Sequence, residues 1–286
     1  METFVCDLLV ARGTTTDDGR TLFAKNSDRP PGELQVVEFS EPRLEGITRA
    51  TYLDIPGHSA PTLRTFISRP RWGWGAEHGV NIAGVAIGNA TIYTTLDPRD
   101  FPDALTGMDL VRLGLERGRT AEESLSVITS CIERFGQGGS GHDPRGPRRP
   151  YWNSFLVADA TSAWVVETSG PTWMVHEVAD TWALSNRVTL SEFEFHRHPR
   201  QPVETLVDPR LESSRAVLAR RPVSMLDVRE HLSSHGMTAD GWDVCMHNDV
   251  QVTASSLIAA LNAHGEPEVH HLLGNPCGGN WVRLRW

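Results

Sequence analysis

The sequence predicts an α+β protein of layered architecture, and three observations predict it. Strand-like runs open the chain, two amphipathic helices follow, and a second strand-rich block, an Arg-rich helical stretch and a strand-like tail complete the order β, α, β, α, β. The strand runs are separated by Gly and Pro punctuation, and Asp18-Gly19 is a strong hairpin signal, so sequential strands are expected to run antiparallel. That order fits stacked layers better than alternating parallel βαβ units.

The first hairpin joins residues 3–10 (TFVCDLLV) to 21–25 (TLFAK), with further strands expected at 35–39, 62–67 and 84–93. Helical periodicity then takes over at 107–118 and 120–136. The second helix should start on a Thr120/Glu123 capping box and stop at Gly136. Its apolar face is Leu125, Ile128, Cys131, Ile132 and Phe135, so Cys131 reads as a core side chain. The stretch 136–150 (GQGGSGHDPRGPRRP) is the strongest loop signal. Strands follow at 153–158, 162–167, 173–178 and 181–185, then a helical region over about 208–235, then strand-like runs near Val252 and Trp281. Neither a repeat nor a linker divides the chain, which is expected to form a single domain over residues 1–286.

Composition narrows the function. No apolar run approaches the roughly 20 residues a membrane helix needs. METFVCDLLVARG lacks a basic segment and carries Glu2 and Asp7, so it does not read as a secretory signal, and a cytoplasmic location is expected. A net charge of −9 disfavours nucleic acid as a partner. The four cysteines, at 6, 131, 245 and 277, form no CxxC pair and read as free thiols, not as a disulfide framework or a zinc site. His231 and His235, four apart on a helix, lack an evident third ligand and read as a solvated face. His270-His271 and the pair flanking Arg197 read as surface positions. No metal or cofactor is expected.

Two residues stand out chemically. Lys25 is the only lysine among 27 basic side chains, which suggests a site where a compact ammonium cannot be exchanged for a planar guanidinium. Cys6 lies in the first strand in register with Phe4, Leu8 and Val10. It reads either as a small core residue or, if residues 1–5 form a removable leader, as an N-terminal nucleophile. In the second case its own α-amine would take the thiol proton, because the reference pKa values of the two groups, about 7.7–8.0 and about 8.5, lie close together. The hairpin would bring Lys25 and Asp28 near Cys6, where a cation favours thiolate and a carboxylate orients the amine. Read alone, KNSD is usually a surface ion pair in a turn.

The chain resembles the secernin family of C69 dipeptidases, and more distantly choloylglycine hydrolase and penicillin V acylase. The resemblance is carried by Cys6-Asp7, FAKNSDRP (23–30), ISRPRWGWGAEHGVN (67–81), AIGNATI (86–92), LTGMDLVRLGLERGRTAEESLSVI (105–128), GQGG (136–139), NSFLVAD (153–159) and AWVVETSG (163–170). It is fainter in WALSN (182–186), VCMHN (244–248), VTASSLI (252–258) and NPC (275–277). It implies a four-layer αββα N-terminal-nucleophile hydrolase sandwich, with two mainly antiparallel sheets between helical layers. It also implies Cys6 as nucleophile, Lys25 and Asp28 beside it, Asn89 as an oxyanion donor, and Asn186 and Arg215 as further active-site residues. Trp72 and Trp74 would wall a substrate pocket or serve as core corners. The implied activity is hydrolysis of a small amide, a dipeptide or N-acyl amino acid, through a thioester. A regulatory protein with an intact leader, and an acyltransferase using the same thioester, are the alternatives. A homo-oligomer is compatible with the sequence.

Overall fold

The computed structural model describes residues 5–200, 203–236, 238 and 240–286, so Phe4 and the first four residues of the expected leader lie outside the described residues. The strands are β1 (Cys6–Ala11), β2 (Thr21–Arg29), β3 (Gln35–Ser40), β4 (Ile47–Arg49), β5 (Asp54–Pro56), β6 (Thr65–Pro70), β7 (His78–Asn81), β8 (Ala86–Ile92), β9 (Trp152–Ala158), β10 (Ala163–Ser169), β11 (Thr172–Glu177), β12 (Thr181–Leu184), β13 (Val252–Leu261), β14 (Glu268–Leu273) and β15 (Val282–Arg283). The helices are α1 (Gly107–Arg117), α2 (Ala121–Phe135), α3 (Val203–Leu206), α4 (Asp208–Leu218) and α5 (Met225–Leu232).

Two antiparallel sheets stack face to face, one ordered β12-β1-β2-β13-β14-β15 and the other β11-β10-β9-β8-β7-β6-β3. Helices α1 and α2 cover the outer face of the second sheet, and α4 and α5 that of the first. The αββα sandwich therefore has three apolar interiors, and the residues sort between them by strand alternation. On β1, Leu8 and Val10 enter the layer between the sheets, while Leu9 and Ala11 enter the layer under α4 and α5. A strand buried on both faces is apolar throughout, which is why this segment reads as a continuous run. At its end, Gly19 has φ 75°, the backbone the Asp-Gly turn demands.

Helix α2 begins on Thr120, whose hydroxyl accepts from the Glu123 backbone N–H, but the Glu123 carboxylate accepts from Arg119 N–H instead of closing the reciprocal box. Complete capping boxes belong to α1, through Thr106 and Asp109, and to α5, through Ser224 and Asp227. Four strand expectations change. β2 runs on to Arg29, so KNSD lies within a buried strand and not in a turn. The run at 62–67 pairs only from Thr65, that at 84–93 contributes only Ala86–Ile92, and the short β4, β5 and β7 are additional. The helical stretch from 208 is broken between α4 and α5.

Candidate active site

The β1/β2 register sets the site. Cys6 is opposite Ser27 and Leu8 opposite Lys25, so Cys6, Lys25 and Ser27 share the face turned towards the second sheet, whereas Asp7 and Asn26 share the face turned towards the helices. Lys25 is fully buried. Its Nζ donates to the carbonyls of Glu77 (2.7 Å) and Asn89 (2.5 Å) and lies 3.5 Å from the Glu77 carboxylate. Glu77 is held in turn by Arg29 at 3.0 Å, and Arg29 also pairs with Glu33. A buried ammonium is tolerated here because all its neighbours accept.

On the nitrogen side, the Cys6 backbone N–H donates to Asn186 Oδ1 at 2.8 Å. The Asn186 side chain is fixed from both ends, since its Nδ2 donates to the Thr91 carbonyl (3.1 Å) and its Oδ1 also accepts from Arg210 Nη2 (3.2 Å). Arg210 is fully buried on α4 and forms a 2.7 Å ion pair with Asp7. Asp28 Oδ1 accepts from Thr253 Oγ1 at 2.6 Å. Burial, and then the adjacent Asp7 charge, push the Asp28 carboxyl up to about 8.

Arg215 is exposed, away from Cys6, in a surface groove with Trp182 and Arg221. Arg210 stands where the resemblance placed Arg215. Five residues turn a helix by about 140° beyond a full circle, so the two point to nearly opposite sides of α4. Arg210→Met should cost about 3–5 kcal/mol by stranding Asp7, with thermal unfolding as the readout. Arg215→Ala should stay within about 0.5 kcal/mol of wild type and leave turnover unchanged.

On the sulfur side, Cys6 is buried and its thiol is pushed up to about 12, mainly by burial. The Lys25 charge and the Asp28 backbone N–H oppose that rise, while the Glu77 and Asp28 charges add to it. A small pocket opens on Cys6, lined also by Val5, Asp28, Glu77, Asn89 and Tyr151. Asn89 Nδ2 donates one hydrogen to Asn153 Oδ1 (2.9 Å), which leaves the second N–H for the pocket or for Tyr151 beside it. Burial raises the Tyr151 hydroxyl far above its usual range, so it stays protonated. His78 is held neutral by burial and by Lys25, between Ser27 Oγ (3.1 Å) and Ser255 Oγ (3.3 Å).

Cys6, Lys25, Asp28, Asn89 and Asn186 thus meet at one end of the β1/β2 hairpin. The tryptophans do not line that pocket. Trp74 packs against the α1/α2 core with Arg112 stacked 4.5 Å from its ring, and Trp72 lies beside Glu33, one ion pair removed. His231, expected on a solvated face, is buried and bonds Ser214 Oγ at 2.9 Å. Asp7, Arg210, Glu77, Tyr151 and Asn153 belong to the site although sequence reasoning does not single them out. Only Asp7, adjacent to Cys6, carries a local signal.

Four layers around two stacked antiparallel sheets make the N-terminal-nucleophile hydrolase fold, which this chain has. It is similar to the conjugated bile acid hydrolase of Clostridium perfringens (TM-score 0.58, 11% identity, 98% of this chain and 97% of that one). It is also similar to the penicillin V acylase of Agrobacterium tumefaciens (0.55, 13%, 94% and 83%) and to the Caenorhabditis elegans ortholog of N-acylethanolamine-hydrolyzing acid amidase (0.50, 11%, 89% and 92%). No protein-family model matches the sequence. Among the described residues, no helix is long and apolar enough to cross a membrane.

Proposed function

We propose that this protein is a cysteine N-terminal-nucleophile amidohydrolase that cleaves a small amide, a dipeptide or an N-acyl amino acid, in the manner of secernin-like C69 dipeptidases. The observation that carries the proposal is the double setting of Cys6. Its nitrogen is held by Asn186 beside the Asp7–Arg210 pair, and its sulfur shares a pocket with Asn89 and feels the Lys25 charge. The structural neighbours, a bile acid hydrolase, an acylase and an acid amidase, support the same chemistry.

The polar surroundings suit a free amine better than a peptide nitrogen. Asp7 Oδ1 and Asp28 Oδ2 are buried without hydrogen-bond partners among the described residues, while Cys6 offers a single N–H. An α-ammonium has three, and buried acceptors left unfilled cost about 1–3 kcal/mol each. The Val5 carbonyl already accepts from Asp28 N–H at 3.3 Å, so the bond that must break is held from its oxygen. Attack of Cys6 Sγ on that carbonyl, transfer of a proton to the departing nitrogen and hydrolysis of the thioester would release the leader. Val5 lines the pocket, so its departure also makes room for substrate.

In turnover, the α-amine takes the thiol proton and the thiolate attacks the substrate carbonyl. The Asn89 N–H would hold the oxyanion, a contribution of roughly 2.7–4 kcal/mol for one such donor. The C–N bond breaks as the ammonium returns its proton to the leaving amine, and water, deprotonated by the same amine, cleaves the thioester. Incubation with dipeptides and N-acyl amino acids, scored for equimolar acid and amine, tests this reading. Diversion of the acyl group to an added amine would make the protein an acyltransferase. No turnover with the leader still attached would make it an interaction protein.

The burial of Asp28 yields a prediction for the leader-bearing form. Its carboxyl titrates near 8 when folded against an ordinary value of 3.8, so its contribution is full below about pH 4 and is lost as pH rises towards 8. In a Cys6→Ser background, Asp28→Asn should be neutral at pH 4 and stabilise the fold by up to about 5 kcal/mol at pH 8. Denaturant unfolding at the two pH values measures it, and an equal effect at both would show that Asp28 does not titrate in between.

A further inference from the structure

Away from Cys6, four side chains that sequence spacing keeps apart come together. His235 follows α5, Cys245 and His247 lie on the segment leading into β13, and Cys277 sits in the single helical turn Pro276–Gly278. One ligand atom from each lies within 4.8 Å of all the others. His247 Nε2 is 3.3 Å from Cys245 Sγ and 3.3 Å from Cys277 Sγ, and the two imidazole rings are 5.0 Å apart. Four N and S ligands around one tetrahedral zinc ion, at bond lengths of about 2.0–2.3 Å, stand about 3.3–3.8 Å from one another. The cluster needs only a small contraction to reach that geometry.

We infer that His235, Cys245, His247 and Cys277 form a structural Cys₂His₂ zinc site. Two thiolates and two imidazoles are a soft, closed donor set, which selects zinc over magnesium or calcium and leaves no position for a substrate. The backbone holds the four ligand segments in place. Asp243 accepts from the Gly236 and Thr238 N–H groups at 3.0 Å each, Cys245 N–H donates to the Ser234 carbonyl at 3.1 Å, and Asn275 Nδ2 donates to the Met246 carbonyl at 2.7 Å. The expectation of no metal rests on linear spacing, which cannot register ligands drawn from three separate segments.

The site would also serve the active centre mechanically. Met246, between two of the ligands, donates its N–H to Thr253 Oγ1 at 2.8 Å, and that hydroxyl donates to Asp28. Zinc would pin the segment that aims Thr253, so the ion acts on Asp28 through position, not through contact.

The full-length chain, purified under reducing conditions with zinc supplied and then freed of loosely bound metal, should carry one zinc per chain by elemental analysis. Replacing zinc with Co²⁺ should give thiolate-to-cobalt charge-transfer absorption and the intense visible bands of a tetrahedral centre. Cys277→Ser and His235→Ala, both at exposed positions, should each lower retained zinc at least tenfold, whereas Cys131→Ser should not. Less than about 0.1 equivalent in the folded wild type, or unchanged zinc in both variants, overturns the assignment. So does a Cys245–Cys277 disulfide found in protein isolated without oxidant.

Discussion

Cys6→Ser should lose amide hydrolysis by at least about a thousandfold in kcat while keeping its fold, and should retain the leader that the proposed mechanism removes from wild type. The fold survives because Cys6 touches the inter-sheet core with one small atom group, and serine occupies similar space. Activity does not survive because a hydroxyl is a far weaker acid than a thiol, so the α-amine cannot draw off its proton as readily. The leader persists for the same reason, since the same atom must attack the Val5 carbonyl. Cys131→Ser is the control. That thiol is buried on α2 among Ile128 and Ile132, so its loss should lower stability by about 1–2 kcal/mol and leave kcat unchanged. Turnover rates, melting temperatures and intact masses of the two variants separate nucleophile from core residue, and the reverse pattern would assign the wrong cysteine.

Lys25→Arg should cost at least tenfold in kcat/KM and about 1–3 kcal/mol of stability, or roughly 2–10 °C in Tm for a chain of this size. The lysine stem threads a passage no wider than itself: a Cβ on Gly88 would fall 2.9 Å from Lys25 Cδ and 2.9 Å from Leu8 Cδ2. At its end, two carbonyls and a carboxylate surround a point, not a plane. A guanidinium is too broad for the passage and presents its donors in the wrong directions. Lys25→Met should be worse for stability, about 3–5 kcal/mol, because it leaves Glu77 and both carbonyls facing an apolar tip. Wild-type kinetics in Lys25→Arg would mean that the survival of a single lysine is accidental.

The sequence exposes those parts of the molecule that local chemistry dictates. The β1/β2 hairpin is legible because a strand buried on both faces is apolar at every step and because Asp18-Gly19 forces the turn. Helix α2 is legible from its threonine start and glycine stop. The short strands β4, β5 and β7 are not, since three or four residues cannot display a period. Within the site, Cys6, Lys25 and Asp28 are within reach of a hairpin argument. Asn153 arrives from β9, Glu77 and Tyr151 from the residues just before β7 and β9, and Arg210 from α4, and only the packing of the layers brings them in. The choice between Arg210 and Arg215 shows the limit most clearly, because both occur in one polar helix and only the rotation of α4 against β1 decides which is buried. The His235–Cys277 cluster is hidden for the same reason.

The most direct test is the N-terminal sequence and intact mass of a preparation whose specific activity has been measured. The proposal predicts an active chain beginning Cys6-Asp7-Leu8-Leu9, with activity rising in proportion to the fraction so processed. A preparation of full specific activity that still carries any residue ahead of Cys6 would leave the thiol without its base and would contradict the mechanism.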